Sequence, residues 1–389
     1  MKKNKDENST RGYIEGYYGK LLSWDNRKLI IESLHKNNMN TYFYAPKEDE
    51  NHRLNWRKKY NLKWRTHFRK FTKFSKTKNI NVIAGIAPGL DFDFKEFNNK
   101  TQTGKSFDYT LLYSKAKQLL YDGATSIALL LDDIPEDFKN KFGNKISEGT
   151  SHGILANILS ESLGKNIYLV PRIYADELMN DDPHYLKDLS SVLNPKIKVF
   201  YCGKNVVSKT LTNYSSIKKV LHNEIIYWDN YYANDYCPRR FFIGPYVGRK
   251  KVNNIMVNPT GLINTDLLIL DIVATNFSND FFTKKWKEIL KIHGVPIICH
   301  KIIQYLLKPD FGSNPLPKAF DVNTKDIEAL DFLLWKWKGE LSREWYPYLF
   351  SLKHDLQLKL NILTSERLIK TQTTPLSEYI LKKLNKGEL

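Results

Sequence analysis

Two adjacent carboxylates, Asp132 and Asp133, follow directly on the apolar run 126–131 (SIALLL). Such a run, with Pro135 close behind it, predicts a strand that is buried on both faces and ends at the two acids. Parallel α/β folds carry their chemistry at the carboxyl ends of strands of this kind. Two neighbouring acids also influence each other's titration, so that their pKa values separate. The alternative is that one aspartate caps the next helix and the other is solvated.

Polar residues also stand at the ends of several other predicted strands. If the strands are parallel and close into a barrel, these residues meet on one face, where the active sites of barrel enzymes lie. Amides, a lysine, a tyrosine, a tryptophan and paired acids together favour a neutral, polyhydroxylated ligand such as a sugar. The residues at the strand ends are Gly16, Lys47, Asp132, Asp133, Tyr174, Trp228, Asn230 and Asn258.

Eight short apolar segments alternate with helical patterns over the first part of the chain. This alternation predicts an α/β fold of the (β/α)8 TIM-barrel class, and the span of about 270 residues is close to the usual size of that fold. The predicted strands lie within 12–19, 41–46, 81–88, 126–131, 166–174, 197–203, 224–230 and 253–259. The predicted helices of this part include 27–37, 110–121, 154–163, 215–222 and 265–276.

The pattern changes at about residue 280. Apolar residues at helical spacing predict helices over 282–292, 324–337 and 349–363, with a break rich in Pro, Gly and Asn at 308–318. We therefore expect three parts. They are a disordered leader (1–10), the barrel (11–279) and a C-terminal helical domain (280–389) that offers a surface for a homodimer.

The chain of 389 residues carries a formal net charge of +18. A charge of this size can indicate an anionic partner such as nucleic acid. The lysines are spread along the whole chain, however, and scattered charge favours a solvated surface. No nucleic-acid partner is therefore expected.

Three widely spaced cysteines, with no CxxC pair, argue against a disulfide framework and a cysteine-based zinc site. They fit a reducing compartment. No secretory signal and no run of transmembrane length is visible, so we expect a cytoplasmic protein without a membrane partner. The motifs HExxH, EF-hand loop and GxSxG do not occur, which leaves zinc hydrolysis, calcium binding and a serine nucleophile elbow without support.

Several longer motifs, in order and at compatible spacing over about residues 11–276, resemble glycoside hydrolase family 84. This family contains the O-GlcNAcases and bacterial β-N-acetylglucosaminidases. The motifs are 12–19 (GYIEGYYG), 40–47 (NTYFYAPK), 87–91 (APGLD), 128–134 (ALLLDDI), 228–235 (WDNYYAND) and 244–249 (GPYVGR).

The resemblance implies a (β/α)8 catalytic domain that hydrolyses terminal β-linked N-acetylglucosamine with retention, without a metal or an organic cofactor. In the mechanism of the family the 2-acetamido oxygen of the sugar attacks the anomeric carbon and forms an oxazoline. By resemblance, Asp132 orients the acetamide, and Asp133 is the general acid and then the general base. A group that must protonate a leaving oxygen is expected to have a raised pKa.

The other roles are also implied by resemblance. Gly16 and Lys47 match positions that contact sugar hydroxyls, and Tyr174 matches a tyrosine at the reacting centre. Trp228 and Asn230 match the wall of the acetamide pocket and a residue that bonds the acetamido group. Residues that hold the O4 and O6 hydroxyls are matched by Asp235 and Asn258.

One segment departs from the family pattern. The family commonly has Cys-Pro-Thr-Glu-Tyr before the site tyrosine, whereas this chain has Val170-Pro171-Arg172-Ile173-Tyr174. The expected substrate is an N-acetylglucosaminide or an O-GlcNAc-modified protein. The alternative is a barrel that binds sugar without catalysis or binds an acidic polymer, although the intact pair of aspartates disfavours the silent version.

Overall fold

The computed structural model describes residues 9–97, 106–143, 146–179, 182–211, 216–249, 252–277, 282–307, 322–360 and 362. Most of the predicted leader and the whole of the predicted break at 308–318 lie outside these residues, as does Leu363 at the end of the last predicted helix. Among the described residues, none of the helices is both long enough and apolar enough to cross a membrane.

Eight parallel strands close into one barrel in chain order, each paired with its neighbours and the last with the first. This confirms the predicted (β/α)8 TIM-barrel fold. The strands are β1 (Arg11–Glu15), β2 (Thr41–Tyr44), β3 (Asn81–Ile86), β4 (Ser126–Leu130), β5 (Tyr168–Val170), β6 (Lys198–Tyr201), β7 (Ile225–Asp229) and β8 (Ile255–Val257).

Helices follow the strands, and several begin earlier than the apolar spacing predicted because a serine caps them. The side chain of Ser23 accepts from the amide of Asn26, and that of Ser147 accepts from the amide of Thr150. The α-helices between β1 and the helix that follows β8 are, in chain order, α1 (Trp24–Lys36), α2 (Leu62–Thr77), α3 (Phe94–Phe97), α4 (Phe107–Tyr121), α5 (Phe138–Phe142), α6 (Glu148–Leu163), α7 (Tyr185–Val192) and α8 (Ile263–Ala274).

The predicted helix over 215–222 is wrong. The described part of this segment forms only a short 3-10 helix, Ser216–Lys219. Ile217 within this turn and Leu221 just after it are both buried. The segment ends at Asn223, whose side-chain amide donates to the backbone carbonyls of Asn194 and Ile197 in the connection between α7 and β6.

Apolar side chains from different strands fill the barrel interior. Ile14, Phe43, Leu130, Phe200 and Met256 are all fully buried in it. The rings of Phe43 and Phe200 stack with their centroids 5.0 Å apart. Because this core is apolar, the polar residues that follow the strands are confined to the carboxyl-end face.

The described residues divide into two compact units. The first comprises Met1–Tyr236 and Pro245–Ile289, and the second Cys237–Gly244 and Leu290–Leu389. The remaining helices are α9 (Phe282–Ile292), α10 (Thr324–Trp335) and α11 (Glu340–Lys359). In the second unit the Trp345 ring packs against those of Phe241 and Trp337, with centroids 4.7 and 5.3 Å away. The domain boundaries at residues 10 and 279 remain predictions.

Candidate active site

The carboxylate of Asp132, two residues beyond β4, is held by a lysine from a different strand end. Its Oδ2 atom accepts from Nζ of Lys47 at 2.5 Å, and both side chains are buried. The Oδ1 atom of Asp132 is buried as well, and it has no hydrogen-bond partner among the described residues. Since a buried carboxylate oxygen is costly to leave unpaired, Oδ1 is an acceptor suited to a donor on a ligand.

Asp133 lies beside this pair and accepts from two tyrosines. The Tyr174 hydroxyl donates to Oδ1 at 2.7 Å, and the Tyr18 hydroxyl donates to Oδ2 at 2.8 Å. Nζ of Lys47 is also 3.5 Å from Oδ2 of Asp133, so the one ammonium faces both carboxylates. The backbone of Asp133 has φ +51°. This left-handed conformation costs an L residue roughly 1 kcal/mol and turns the carboxylate out of the line of β4.

The pKa of Asp133 differs from the sequence-based expectation of a raised value. Burial raises it, but the ammonium of Lys47, the hydrogen bonds from Tyr174 and Tyr18 and the charge of Arg53 lower it, and the net pKa lies below the ordinary aspartate value. The physical reason is that all of these groups stabilise the anion. The pKa of both tyrosines is raised, first by burial and then by the charge of Asp133, so they stay protonated as donors.

Sequence reasoning missed Tyr18 and Arg53. Nη1 of Arg53 donates to the Tyr18 hydroxyl oxygen at 3.0 Å, and Nη2 donates to the backbone carbonyl of Asp133 at 2.5 Å. The backbone amide of Tyr18 donates to Oδ2 of Asp235 at 3.1 Å, which brings this predicted residue to the same side of the site. The available signal for Tyr18 was its place in the motif 12–19, two residues after Gly16.

Four other predicted residues form a second connected group. Oδ1 of Asn258 accepts from the amide of Gly16 at 3.1 Å, and Nδ2 of Asn258 donates to Oδ1 of Asn230 at 2.9 Å. The same Asn230 oxygen accepts from the indole N–H of Trp228 at 2.9 Å. The ends of β1, β7 and β8 are therefore joined by one chain of hydrogen bonds.

Gly16 is required by the close approach of Trp228. A Cβ atom at position 16 would lie 2.4 Å from Cζ2 and 2.6 Å from Cη2 of that ring, distances that real Cβ atoms do not show. The absence of a side chain thus lets the indole approach the end of β1 closely.

Cys202, just after β6, contacts Asn230 of the second hydrogen-bonded group. It also lies close enough to Asp132 and Asp133 to be affected by their charges. Its Sγ is 3.6 Å from Nδ2 of Asn230, which also donates to the carbonyl of Val206 at 2.9 Å. Burial raises the pKa of the Cys202 thiol well above its usual value, and the charges of Asp229, Asp132 and Asp133 raise it further. The thiol stays protonated and acts as a small apolar wall.

The family model for NAGidase, described as beta-N-acetylglucosaminidase, matches residues 11–275. The chain belongs to this family.

The curated relatives of this NAGidase-family chain include the protein O-GlcNAcases of Rattus norvegicus and Mus musculus. Each is 29% identical over 283 residues, which cover 69% of this chain and 30% of the relative. The chain thus matches less than a third of the length of these relatives. Among solved structures, a mutant of the Thermobaculum terrenum O-GlcNAc hydrolase superposes with a TM-score of 0.73. It is 23% identical and the match covers 97% of this chain and 89% of that one, a likeness that shows the fold.

Two further carboxylates of this family member stand next to predicted site residues, but both are already paired. Glu15, before Gly16, accepts from Arg27 through both oxygens at 2.8 Å. Asp229, before Asn230, accepts from Arg249 through both oxygens at 2.9 Å. These buried, bidentate pairs support the strand ends, and both oxygens of each carboxylate are already used by an arginine.

The segment that departs from the family pattern has its own partner. Arg172 is buried, and its Nε lies 2.8 and 2.9 Å from the two oxygens of Glu148 at the start of α6. The basic residue that replaces a neutral one is therefore neutralised locally. Tyr174, two residues on, still reaches Asp133.

Proposed function

We propose that this protein is a retaining β-N-acetylglucosaminidase that removes terminal β-linked N-acetylglucosamine through substrate-assisted catalysis. The names of its O-GlcNAcase relatives agree with this activity. The observation that carries the proposal is the state of Asp132. One of its oxygens is fixed by Lys47, and the other is buried beside a second carboxylate and has no hydrogen-bond partner in the described part of the chain. A ligand with an N–H donor next to a group that needs a proton fits this arrangement, and a 2-acetamido sugar has both.

In the first step, the acetamide N–H donates to Oδ1 of Asp132, which orients the acetamide oxygen towards the anomeric carbon. This oxygen forms a bond to the anomeric carbon while the glycosidic bond breaks, and Asp133 gives its proton to the leaving oxygen. The positive charge that develops on the acetamide is stabilised by the Asp132 carboxylate. The product of this step is an oxazoline that keeps its proton on nitrogen, and its positive charge is paired with the Asp132 carboxylate.

In the second step, Asp133 is a carboxylate and accepts a proton from water. The water oxygen forms a bond to the anomeric carbon while the oxazoline carbon–oxygen bond breaks. Two inversions give net retention, and the protein itself forms no covalent bond.

The low pKa of Asp133 describes the ligand-free site, in which two tyrosine hydroxyls and Lys47 stabilise its charge. A bound sugar excludes water from the site, and burial is the influence that raises this pKa. A leaving oxygen that takes the place of one tyrosine donor raises it further. Substrate binding itself therefore prepares the acid, and we include this change in the proposal.

The roles proposed for the remaining residues follow their positions. Trp228 and Asn230 form a wall of the acetamide pocket near the buried thiol of Cys202. The sugar hydroxyls O4 and O6 are assigned to Asp235 and Asn258. Polar groups that are paired to sugar hydroxyls give selectivity, because an analogue without the hydroxyl leaves a buried partner unsatisfied.

The substrate class of the proposal is an N-acetylglucosaminide or an O-GlcNAc-modified protein. A cytoplasmic location is also part of the proposal, because three widely spaced cysteines fit a reducing compartment. We also propose that the 280–389 segment forms a homodimer. Analytical ultracentrifugation, which measures the mass of the protein in solution, tests this.

The experiment is hydrolysis of a chromogenic aryl N-acetyl-β-glucosaminide by the wild type, Asp132→Asn and Asp133→Asn. The control is Asp25→Asn, which changes an aspartate whose side chain is 89% exposed. We expect turnover by the wild type and the control, a strong loss in Asp132→Asn, and in Asp133→Asn a loss that grows as the aryl leaving group becomes poorer. If the wild type is inactive but binds a thiazoline mimic of the intermediate, the barrel is a sugar-binding protein instead. If it neither reacts nor binds, the proposed function is wrong.

A further inference from the structure

Arg53 contacts the proposed general acid at its backbone and through a neighbour. Its guanidinium donates to the carbonyl oxygen of Asp133 at 2.5 Å and to the hydroxyl oxygen of Tyr18 at 3.0 Å. The planar fork of an arginine reaches two acceptors at once, which a lysine cannot do in the same geometry. Arg53 comes from the loop after β2, so it joins the ends of β1, β2 and β4.

The loop that carries Arg53 is firmly attached on both sides of it. The ring of the buried His52 lies 3.0 Å from the carbonyl of Gly85 in β3, and the carbonyl of His52 accepts from the amide of Ala87. Nζ of the buried Lys115, on α4, donates to the carbonyls of Asn51, Trp56 and Lys58. Anchors before and after residue 53 restrict where its guanidinium can lie.

The contact with Arg53 also decides which way the Tyr18 hydroxyl donates. A guanidinium can only donate, so it occupies a lone pair of the Tyr18 oxygen, and the single hydroxyl proton is left for Oδ2 of Asp133. At the same time the second arm holds the carbonyl of Asp133, whose backbone has the left-handed φ of +51°. Both effects direct the carboxylate into one orientation.

We propose that Arg53 is a positioning residue for the general acid: it holds the main chain of Asp133 and the hydroxyl of Tyr18, and it thereby fixes the carboxylate in the orientation needed for proton transfer. This inference rests on the proposed function. It adds a residue that reaches the chemistry through Asp133 and Tyr18.

The proposal predicts a dependence on the leaving group. A misplaced acid slows departure of a poor leaving group, such as an alkyl alcohol, and has little effect on a dinitrophenolate that departs without a proton. For Arg53→Met we expect a loss of about 10- to 100-fold in kcat/KM on an alkyl N-acetylglucosaminide. On the dinitrophenyl substrate we expect a change below about threefold.

The pH profile gives a second readout. The charged and titratable groups that face Asp133 are Lys47, Asp132, Tyr18, Tyr174, Arg53 and Cys202. Arg53 and the Tyr18 hydrogen bond both favour the anion of Asp133, so their loss raises its pKa. Because the acid must be protonated to act, the alkaline limb of kcat/KM moves to higher pH in Arg53→Met. Arg53→Lys keeps the charge, so it should lose rate on the alkyl substrate with a smaller shift of this limb.

The test compares wild type, Arg53→Met, Arg53→Lys and Tyr18→Phe with Lys59→Met, which removes a positive charge from an exposed position of the same loop. Thermal unfolding checks that each variant is folded. We expect Lys59→Met to match the wild type, and the double variant Arg53→Met/Tyr18→Phe to lose less than the product of the single losses, because the two residues act together.

Equal losses on both substrates with an unmoved alkaline limb would show a merely structural role and overturn the inference. An Arg53→Met enzyme identical to the wild type would do the same. Failure of the wild type on both substrates would instead refute the proposed function, so the two failures are distinguishable.

Discussion

Lys47 and Asp132 form a buried ion pair, with Nζ and Oδ2 2.5 Å apart, that uses only one of the two aspartate oxygens. The other oxygen is buried and has no hydrogen-bond partner among the described residues. The pair therefore does two things. It keeps a carboxylate in a place where water has little access, and it leaves the second oxygen as an acceptor for a ligand.

Replacement of Lys47 by methionine should remove both functions of the pair. A buried carboxylate that has lost its partner destabilises a protein by about 3–5 kcal/mol. Activity should fall by about 100- to 1,000-fold, as when one charge-stabilising group is lost from an active site. The measurements are urea unfolding and aryl glycoside hydrolysis. The control is Lys36→Met, in which an exposed lysine loses its contact with Asp271 and at most about 1 kcal/mol is expected. Equal destabilisation by the two variants would contradict the assignment.

The two aspartates should respond differently to the leaving group. For Asp133→Asn we expect a loss of about 100- to 10,000-fold on substrates with poor leaving groups, and a much smaller loss with a dinitrophenyl group that needs no proton. Asp132→Asn should slow both substrates strongly, because formation of the oxazoline needs the acetamide to be oriented in either case. The measurement is kcat/KM across a series of aryl leaving groups. A flat dependence for Asp133→Asn would remove its role as the acid.

The lowered pKa of Asp133 makes a prediction about stability and pH. A carboxyl whose pKa is lower in the folded protein than its unfolded value of about 3.9 stabilises the fold above that pH, and this contribution disappears as the pH falls through the folded pKa. The free energy of unfolding of wild type minus that of Asp133→Asn should therefore shrink as the pH is lowered from about 6 to about 3. Urea unfolding of both proteins across this range measures it. Acids far from Asp133 titrate alike in both proteins and cancel, and a constant difference would mean that the charge of Asp133 is not stabilised.

The contact between Gly16 and Trp228 should not tolerate even one methyl group. Gly16→Ala places a Cβ atom 2.4 Å from the indole, so we expect a loss of about 1–3 kcal/mol of stability and a large rise in KM. Unfolding followed by tryptophan fluorescence measures the loss of stability, and hydrolysis kinetics measure the rise in KM. The control is Gly164→Ala at the end of α6, which has φ +60° but open space around it. That variant should lose about 1 kcal/mol through backbone strain and keep its KM. An unchanged KM in Gly16→Ala would contradict the proposed place of the indole in the site.

Helix ends in the barrel were the least predictable part of the fold. Apolar spacing located α1 and α6, but it missed the capping serines, Ser23 and Ser147, that set where they begin. The helix predicted over 215–222 failed because two buried apolar residues need only one turn to reach the core. The first difference comes from a local capping hydrogen bond that apolar spacing does not contain, and the second comes from burial against other elements.

Within the site, sequence patterns identified residues by their position after a strand. Asp132, Asp133, Lys47 and Asn258 were found in this way, and the structure brings them to one face. Arg53 was not found, because it lies six residues beyond Lys47 in a loop whose course no local pattern predicts. The direction of the Asp133 pKa was also missed, since the expectation considered the role of the acid and not the donors around it.

The sequence by itself determined the number and order of the strands and the polar residues at their ends, because buried parallel strands need continuous apolar runs that stop abruptly at the edge of the core. Only the tertiary structure decided what each of these residues does. Closure of the barrel brings Tyr18, Lys47 and Tyr174 from three other strand ends onto the two aspartates of β4. The lowered pKa of Asp133 and the available acceptor oxygen of Asp132 depend on groups from several segments, so no single segment of the chain determines them.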